Sequence, residues 1–195
     1  MTNQHRKRAA LVHPSGAAPL GTPGVGTPQV RLETDRLILR MWCEDDLEPY
    51  AKLCADPEVM RYLGGKTYTR SETWRHMAFL IGHWHLRSYG HWAVEEKLSG
   101  HFVGRIGFLN PQGWPGFEIG WTLGREFWGK GYATEGARRA LDYAFGVLDR
   151  DHVISLIHPE NQASIAVAKR LGEKLEGKAE IMGIHVLVYG IDRDS

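Results

Sequence analysis

The sequence predicts an α/β domain in which strand-like and helix-like segments alternate, and three observations lead there. A strand-like run, Phe117 to Leu123, passes through a glycine-bearing turn into a long amphipathic helix at about Ala133 to Leu148. Val153-Ile-Ser-Leu-Ile157 is nearly all apolar, as expected for a strand covered on both faces. The 195 residues, 43% hydrophobic and 24% charged, suit one domain with a substantial core.

Taken in order, the chain opens with a segment that cannot bury much. Residues 13 to 28 are dense in Gly and Pro without a period, and such a composition does not offset the entropy of ordering a backbone. Residues 1–28 are therefore expected to form a flexible tail, and residues 29–195 a single domain. Leu32 to Arg40 reads as one strand, with Leu37 and Leu39 alternating with polar residues. Glu44, Asp45 and Asp46 suit a helix N-terminus, and Leu47, Tyr50, Ala51 and Cys54 follow at helical spacing. Asp56-Pro57 starts a short helix, with Asp56 as N-cap, that Gly64-Gly65 ends. A third helix is expected from Ser71 to about Ser88. His91–Glu95 and His101–Leu109 then read as an antiparallel pair joined by a short turn. On the helix near 133–148, Ala133, Ala137, Ala140, Leu141, Ala144 and Leu148 make one apolar stripe. After the buried strand at 153–157, His158–Asn161 caps a helix from Gln162 to Leu171 that Gly172 ends. Two final strands, about 173–181 and 184–191, fold back through Met182-Gly183. The count is about seven strands.

Bulk properties narrow the function. A net charge of +1 gives no general field for nucleic acid or an anionic membrane, so neither is expected as a partner. No run reaches the length of a membrane span. Arg6, Lys7 and Arg8 are not followed by an apolar h-region, so no signal peptide is expected and a cytoplasmic location is. Cys43 and Cys54 read as reduced, partly buried thiols. No metal site is expected: His83 and His85 point to different sides of a helix, and His76 and His83 share a face without a third ligand. Seven tryptophans, several beside glycines, suggest a pocket with aromatic walls.

The chemistry centres on Glu126-Phe-Trp-Gly-Lys-Gly-Tyr-Ala-Thr-Glu-Gly136. Glycines at a strand-to-helix turn let backbone N–H groups curl towards a ligand, and the following helix adds unpaired N–H groups and its positive dipole end. Together they make an anion site suited to phosphate. Gly124 to Lys130 has the spacing of a nucleoside-triphosphate loop, but Gly131 stands where Ser or Thr should hold Mg²⁺. A dinucleotide fingerprint fails as well, because Thr134 takes the third glycine's place. A diphosphate held without metal remains, gripped by backbone N–H groups with Lys130 in reach.

Trp128-Gly-Lys-Gly-Tyr-Ala-Thr-Glu135 resembles the coenzyme A pyrophosphate loop of the GNAT acetyltransferase superfamily. His158 to Gly172 resembles that superfamily's next motif, and Leu32-Glu-Thr-Asp-Arg-Leu-Ile-Leu-Arg40 is similar to the opening of its ribosomal-protein N-terminal (alanine/serine) acetyltransferase subgroup. The likeness runs from about residue 30 to the C-terminus. It implies a mixed, mostly antiparallel central sheet flanked by helices, whose strands at 117–123 and 153–157 splay apart. It also implies acetyl-CoA as co-substrate and a primary amine as acceptor, whether a protein N-terminus, an amino acid or a small amine. In that frame Trp121, Thr122 and Leu123 offer backbone groups to the pantetheine arm. Trp128, Gly129, Lys130, Gly131, Tyr132, Ala133 and Thr134 hold the pyrophosphate, and Asn161 and Ser164 face the arm and its thiol end. Trp128 alters one edge of the site, where many relatives carry Gln or Arg.

Acetyl transfer needs a neutral amine and a proton for the leaving thiolate. Glu118 is the candidate base and Ser164 the candidate acid, because the tyrosine of many superfamily members is replaced by Ala168 here. That replacement motivates an alternative reading as a CoA-binding regulatory module without turnover. Glu173, where relatives often have Phe, reads as a surface residue, and Glu135 as a helix-dipole partner pointing outwards. The acceptor pocket is expected near residues 44–88, with Tyr62, Tyr68, Trp74, Trp84 and Trp92 as candidates. A homodimer is compatible with the sequence.

Overall fold

The computed structural model describes residues 29–194, so the tail assigned to residues 1–28 lies outside it. The elements are β1 (Leu32–Glu33), β2 (Leu37–Arg40), α1 (Leu47–Cys54), α2 (Pro57–Met60), α3 (Arg70–Arg87), β3 (His91–Glu96), β4 (Phe102–Leu109), β5 (Glu118–Leu123), α4 (Tyr132–Gly146), β6 (His152–Ile157), α5 (Gln162–Leu171), β7 (Lys174–Ile181) and β8 (Ile184–Asp192), with 3₁₀ turns at Glu44–Asp46 and Arg125–Phe127. The strands form one sheet in the order β1-β2-β3-β4-β5-β6-β8-β7. Every neighbouring pair is antiparallel except β5–β6, which is parallel.

The eighth strand comes from the opening segment, which is a hairpin and not one strand. Leu32 pairs with Leu39 and Glu33 with Ile38, and the Thr34 N–H donates to the Leu37 carbonyl at 3.0 Å. Period-two alternation marks extended backbone equally well on both arms and is blind to a tight turn between them.

The helices obey their local signals. The Asp56 carboxylate accepts from the Glu58 N–H at 3.0 Å, with Pro57 at the first helical position. Thr69 and Glu72 form a capping box, which starts α3 just before the expected Ser71. Asn161 caps α5, its side chain accepting from the Ser164 N–H at 3.1 Å, and Gly172 closes the helix at φ 100°.

Packing follows the pleat of the sheet. Trp92 and Val94 join a cluster with Ala137, Ala140, Leu141 and Ala144 of α4, while Ala93 joins another with Leu47, Tyr50, Met77 and Leu80 of α1 and α3. Alternate residues of β3 thus face opposite helical layers. Alanines on α4 let that helix lie close against the sheet, where Ala137, Ala140 and Ala144 are fully buried.

One place in the sheet is not zipped. β5 and β6 have a single register pair, Glu118 with Ile154, and the Ile154 N–H donates to the Phe117 carbonyl at 3.0 Å. Beyond the Ser155 hydroxyl, which lies 3.2 Å from the Ile119 carbonyl, the two strands part, as the splay requires. No helix among the described residues is long and apolar enough to cross a membrane.

Candidate functional site

A cavity of about 1300 Å³ runs along this opening, from the β5–α4 turn to the space between α1, α2 and the sheet. Its upper end is the turn itself. Gly129 and Gly131 have φ of 73° and 83°, a conformation that costs an L residue with a side chain, so both glycines are dictated by the backbone. The first hydrogen bond of the α4 ladder runs from the Glu135 N–H to the Gly131 carbonyl. The N–H groups of Tyr132, Ala133 and Thr134 therefore precede the ladder, at the positive end of the helix.

Trp121, Thr122, Leu123, Trp128, Gly129, Gly131, Tyr132, Ala133, Thr134, Asn161 and Ser164 all line this one cavity, with Glu118 farther in. Lys130 does not. Its ammonium lies over the rings of Phe127 and Tyr132, 5.2 and 6.0 Å from their centroids, where a cation on an aromatic face is favourable. Trp128 also differs from expectation. Its Nε1–H donates to the Leu123 carbonyl at 2.8 Å, so it occupies a group that pantetheine was expected to use.

The turn is braced from a distance. Glu135 accepts from Thr34 Oγ1 at 2.5 Å, from the Arg36 N–H at 3.0 Å and from Arg36 Nε at 2.7 Å, so it is anchored to the β1–β2 turn and does not point out into solvent. Arg36 also donates to the Lys130 carbonyl at 2.9 Å. Through these contacts Thr34 and Arg36, in the β1–β2 turn, brace a loop about a hundred residues away.

Glu118 sits on the cavity floor. Trp114 Nε1 donates to its Oε2 at 2.6 Å, and burial pushes its pKa up to about 7 against the opposing pull of Trp114 and Arg105. A carboxyl poised there can accept a proton near neutral pH. Gly120 keeps the space beside it open: a Cβ there would lie 3.3 Å from His91 Cε1 and 3.9 Å from Glu118 Oε1. Ser164 stands on α5, and its hydroxyl oxygen accepts from Trp121 Nε1 at 3.3 Å, which leaves its own O–H able to donate elsewhere. Ala168 is fully buried against Ile157, Ile165 and Tyr189, so no polar group reaches the cavity from its position.

A polar cluster under α1 and α3 escaped the sequence reading. Tyr50 Oη lies 2.7 Å from His76 Nδ1, and Arg105 Nη1 lies 3.2 Å from both ring nitrogens of His91. Burial lowers the His76 pKa to about 3 and holds His91 well below its ordinary value, with Arg105 adding to both shifts, so both imidazoles are neutral. Their strand and helix positions are separated widely in sequence, and no local spacing joins them. His83 belongs elsewhere: its Nδ1–H donates to the Tyr89 carbonyl at 2.9 Å and its Nε2 accepts from the Asn110 N–H at 3.2 Å. Among the described residues, no group of three or more His, Cys, Asp or Glu is placed to hold a metal. Cys43 is half-buried, Cys54 buried, and both are free thiols.

The aromatic candidates for the acceptor pocket divide. Tyr62 and Tyr68 line the cavity, but Trp84 and Trp92 are fully buried in the core and Trp74 is half exposed. Trp114, Trp121 and Trp128 are the tryptophans on its wall. Aromatic identity alone does not separate a wall from a core.

Glu173 is the clearest correction. It is 4% exposed, beneath the splay and not at the surface. Its Oε1 lies 3.0 Å from Ser155 Oγ, while its Oε2 is buried with no partner in the protein. Burial, helped by Glu176, pushes its pKa up to about 7. The hydrogen count agrees, because Ser155 has one hydroxyl proton and two acceptors, Ile119 O and Glu173 Oε1. A protonated Glu173 donates to Ser155, and Ser155 can then donate to Ile119.

Comparison with known proteins gives a consistent identification. A family model described as an acetyltransferase (GNAT) domain matches residues 36–174. The protein YkkB of Bacillus subtilis (strain 168) is 36% identical over 153 residues, covering 74% of this chain and 85% of that protein. The uncharacterized N-acetyltransferase p20 of Bacillus licheniformis is 31% identical over 148 residues, covering 75% and 83%. The crystal structure of an acetyltransferase from Agrobacterium tumefaciens str. C58 superposes with a TM-score of 0.76 at 30% identity, covering 88% of this chain and 99% of that one. On these matches the chain belongs to the GNAT acetyltransferase family.

Proposed function

We propose that this protein is an acetyl-CoA-dependent N-acetyltransferase that moves an acetyl group directly to a primary amine. The observation that carries this reading is the continuity of one cavity from the glycine turn, past the open edge of β5, to Glu118. The turn's N–H groups suit a diphosphate, and the unpaired backbone of a splayed strand suits an extended amide chain. Glu118 takes the proton of the attacking amine. The Ser164 hydroxyl donates to the departing thiolate, which is a good leaving group and asks little of an acid.

The test is thiol release from acetyl-CoA across a panel of amines, together with the melting temperature in the presence of CoA. Release that requires an amine and is lost in Glu118→Gln supports catalysis. CoA binding without release under any condition supports the regulatory module that the alanine at position 168 allows. If CoA leaves the melting temperature unchanged, both readings fail.

A further inference from the structure

We infer that the acceptor carries an anionic oxyacid group close to its amine, as a free amino acid does, and that Arg105 is the residue that receives it. This rests on the acetyltransferase reading above and names the substrate class of that site.

Arg105 lines the cavity from β4, and its Nε is buried with no hydrogen-bond partner in the protein. It makes no ion pair among the described residues, whereas Arg36, Arg40 and Arg125 are each matched to a carboxylate within 2.9 Å. His91, His76 and Tyr50 around it are neutral, and the Glu118 carboxyl, near enough to feel its charge, forms no ion pair with it. A guanidinium that is partly open to the cavity and has no carboxylate to match its charge is ready to receive one from a ligand. Its planar fork matches a carboxylate or similar oxyanion.

The surroundings fix where that anion would sit. Arg105 Nη1 contacts the ring nitrogens of His91, and the space above Gly120 that adjoins His91 Cε1 also adjoins Glu118 Oε1. The guanidinium and the Glu118 carboxyl thus stand around one imidazole without forming a pair. An acceptor with its anion on Arg105 would hold its amine towards Glu118. Charge points away from a polycationic amine. Of the other acids on the cavity wall, Glu135 is tied to Arg36 and Glu58 lies 3.8 Å from Arg61, which leaves Glu118 alone.

The experiment compares kcat/KM for α-amino acids, their carboxamides and their decarboxylated amines, with the wild type, Arg105→Met and Arg105→Lys. In Arg105→Met, kcat/KM for carboxylates is expected to fall about 10- to 100-fold, the range for a hydrogen bond to a charged group. The carboxamides should change only a few-fold, and the wild-type-to-variant ratio cancels differences in amine basicity. Arg105→Lys keeps the charge without the fork and should recover part of the loss. As a binding readout, a carboxylate acceptor without acetyl-CoA should raise the melting temperature of the wild type but not of Arg105→Met. Should Arg105→Met fail to fold, a selective loss for carboxylates in Arg105→Lys carries the test. Equal losses for all three acceptor classes, or a wild-type preference for polyamines or carboxamides, overturns the inference while leaving acetyl transfer intact. Thiol release with no amine at all overturns the acetyltransferase reading instead.

Discussion

Replacing Glu173 with glutamine is expected to stabilise the protein by about 3 kcal/mol at pH 8 and by under about 1 kcal/mol at pH 5. Glu173 has its pKa pushed up to about 7, against an ordinary value of 4.5. A carboxyl whose folded pKa is raised favours the fold fully below the unfolded pKa and loses that contribution as pH rises through the folded one. Two and a half units at about 1.36 kcal/mol each give a loss of about 3 kcal/mol between pH 4.5 and 7. Glutamine has the shape of the protonated acid, can donate to Ser155 as that acid does, and does not titrate. The difference in unfolding free energy between variant and wild type, measured in urea from pH 5 to 8.5, should therefore grow with pH and level off above 7. For a chain of this length the gain corresponds to roughly 6–12 °C in Tm at pH 8. Taking the difference removes the parallel contribution of Glu118, whose pKa is raised to a similar value. A difference that is flat across this range, or a variant less stable at pH 8, would refute the assignment of a buried, protonated carboxyl.

Other outcomes follow from the same geometry. Glu118→Gln should lower kcat by about 10²- to 10⁴-fold, the usual worth of a general base, and wild-type activity should rise with pH through about 7 as that carboxyl loses its proton. Ser164→Ala should lower kcat less than the Glu118 change does, as read by thiol release. Gly131→Ala forces a side chain into φ 83° and should cost about 1–3 kcal/mol in urea unfolding, with weaker CoA binding by calorimetry. Glu135→Ala removes the acceptor of Thr34 and Arg36, and is expected to cost about 1–2 kcal/mol and raise the Kd for CoA. CoA at about 100 times its Kd should add about 2.7 kcal/mol of stability to the wild type.

What the sequence exposed was local. The caps at Asp56 and Asn161, the glycine stop at Gly172 and the alanine stripe of α4 each reside within a few residues, and each appears where its chemistry requires. The glycine turn of the candidate site was legible for the same reason: Gly129 and Gly131, both at positive φ, lie within one continuous stretch. Side chains that meet only through the fold were misread. Glu135 finds its partner on the β1–β2 turn, and Lys130 leans on rings instead of lining the cavity. Glu173 was misplaced because a charged residue after a helix normally faces water, and only the packing of α5 on the sheet puts it inside. Arg105, His91, His76 and Tyr50 lie on four different elements, so no spacing in the chain could have joined them.

The parting of β5 from β6 has a consequence for how the molecule breathes. β1 to β5 form one antiparallel ladder, and β6, β8 and β7 form a second; a single register pair with its Ile154–Phe117 bond, the Ser155 hydroxyl and the Leu156 backbone on Glu118 span the seam. Hydrogen-bonded cooperativity is interrupted there, so the ladders can open as separate units. Native-state amide exchange should then resolve two plateaus of protection, one for each ladder. A ligand bonded to both edges would couple them, and the two plateaus would approach a single value.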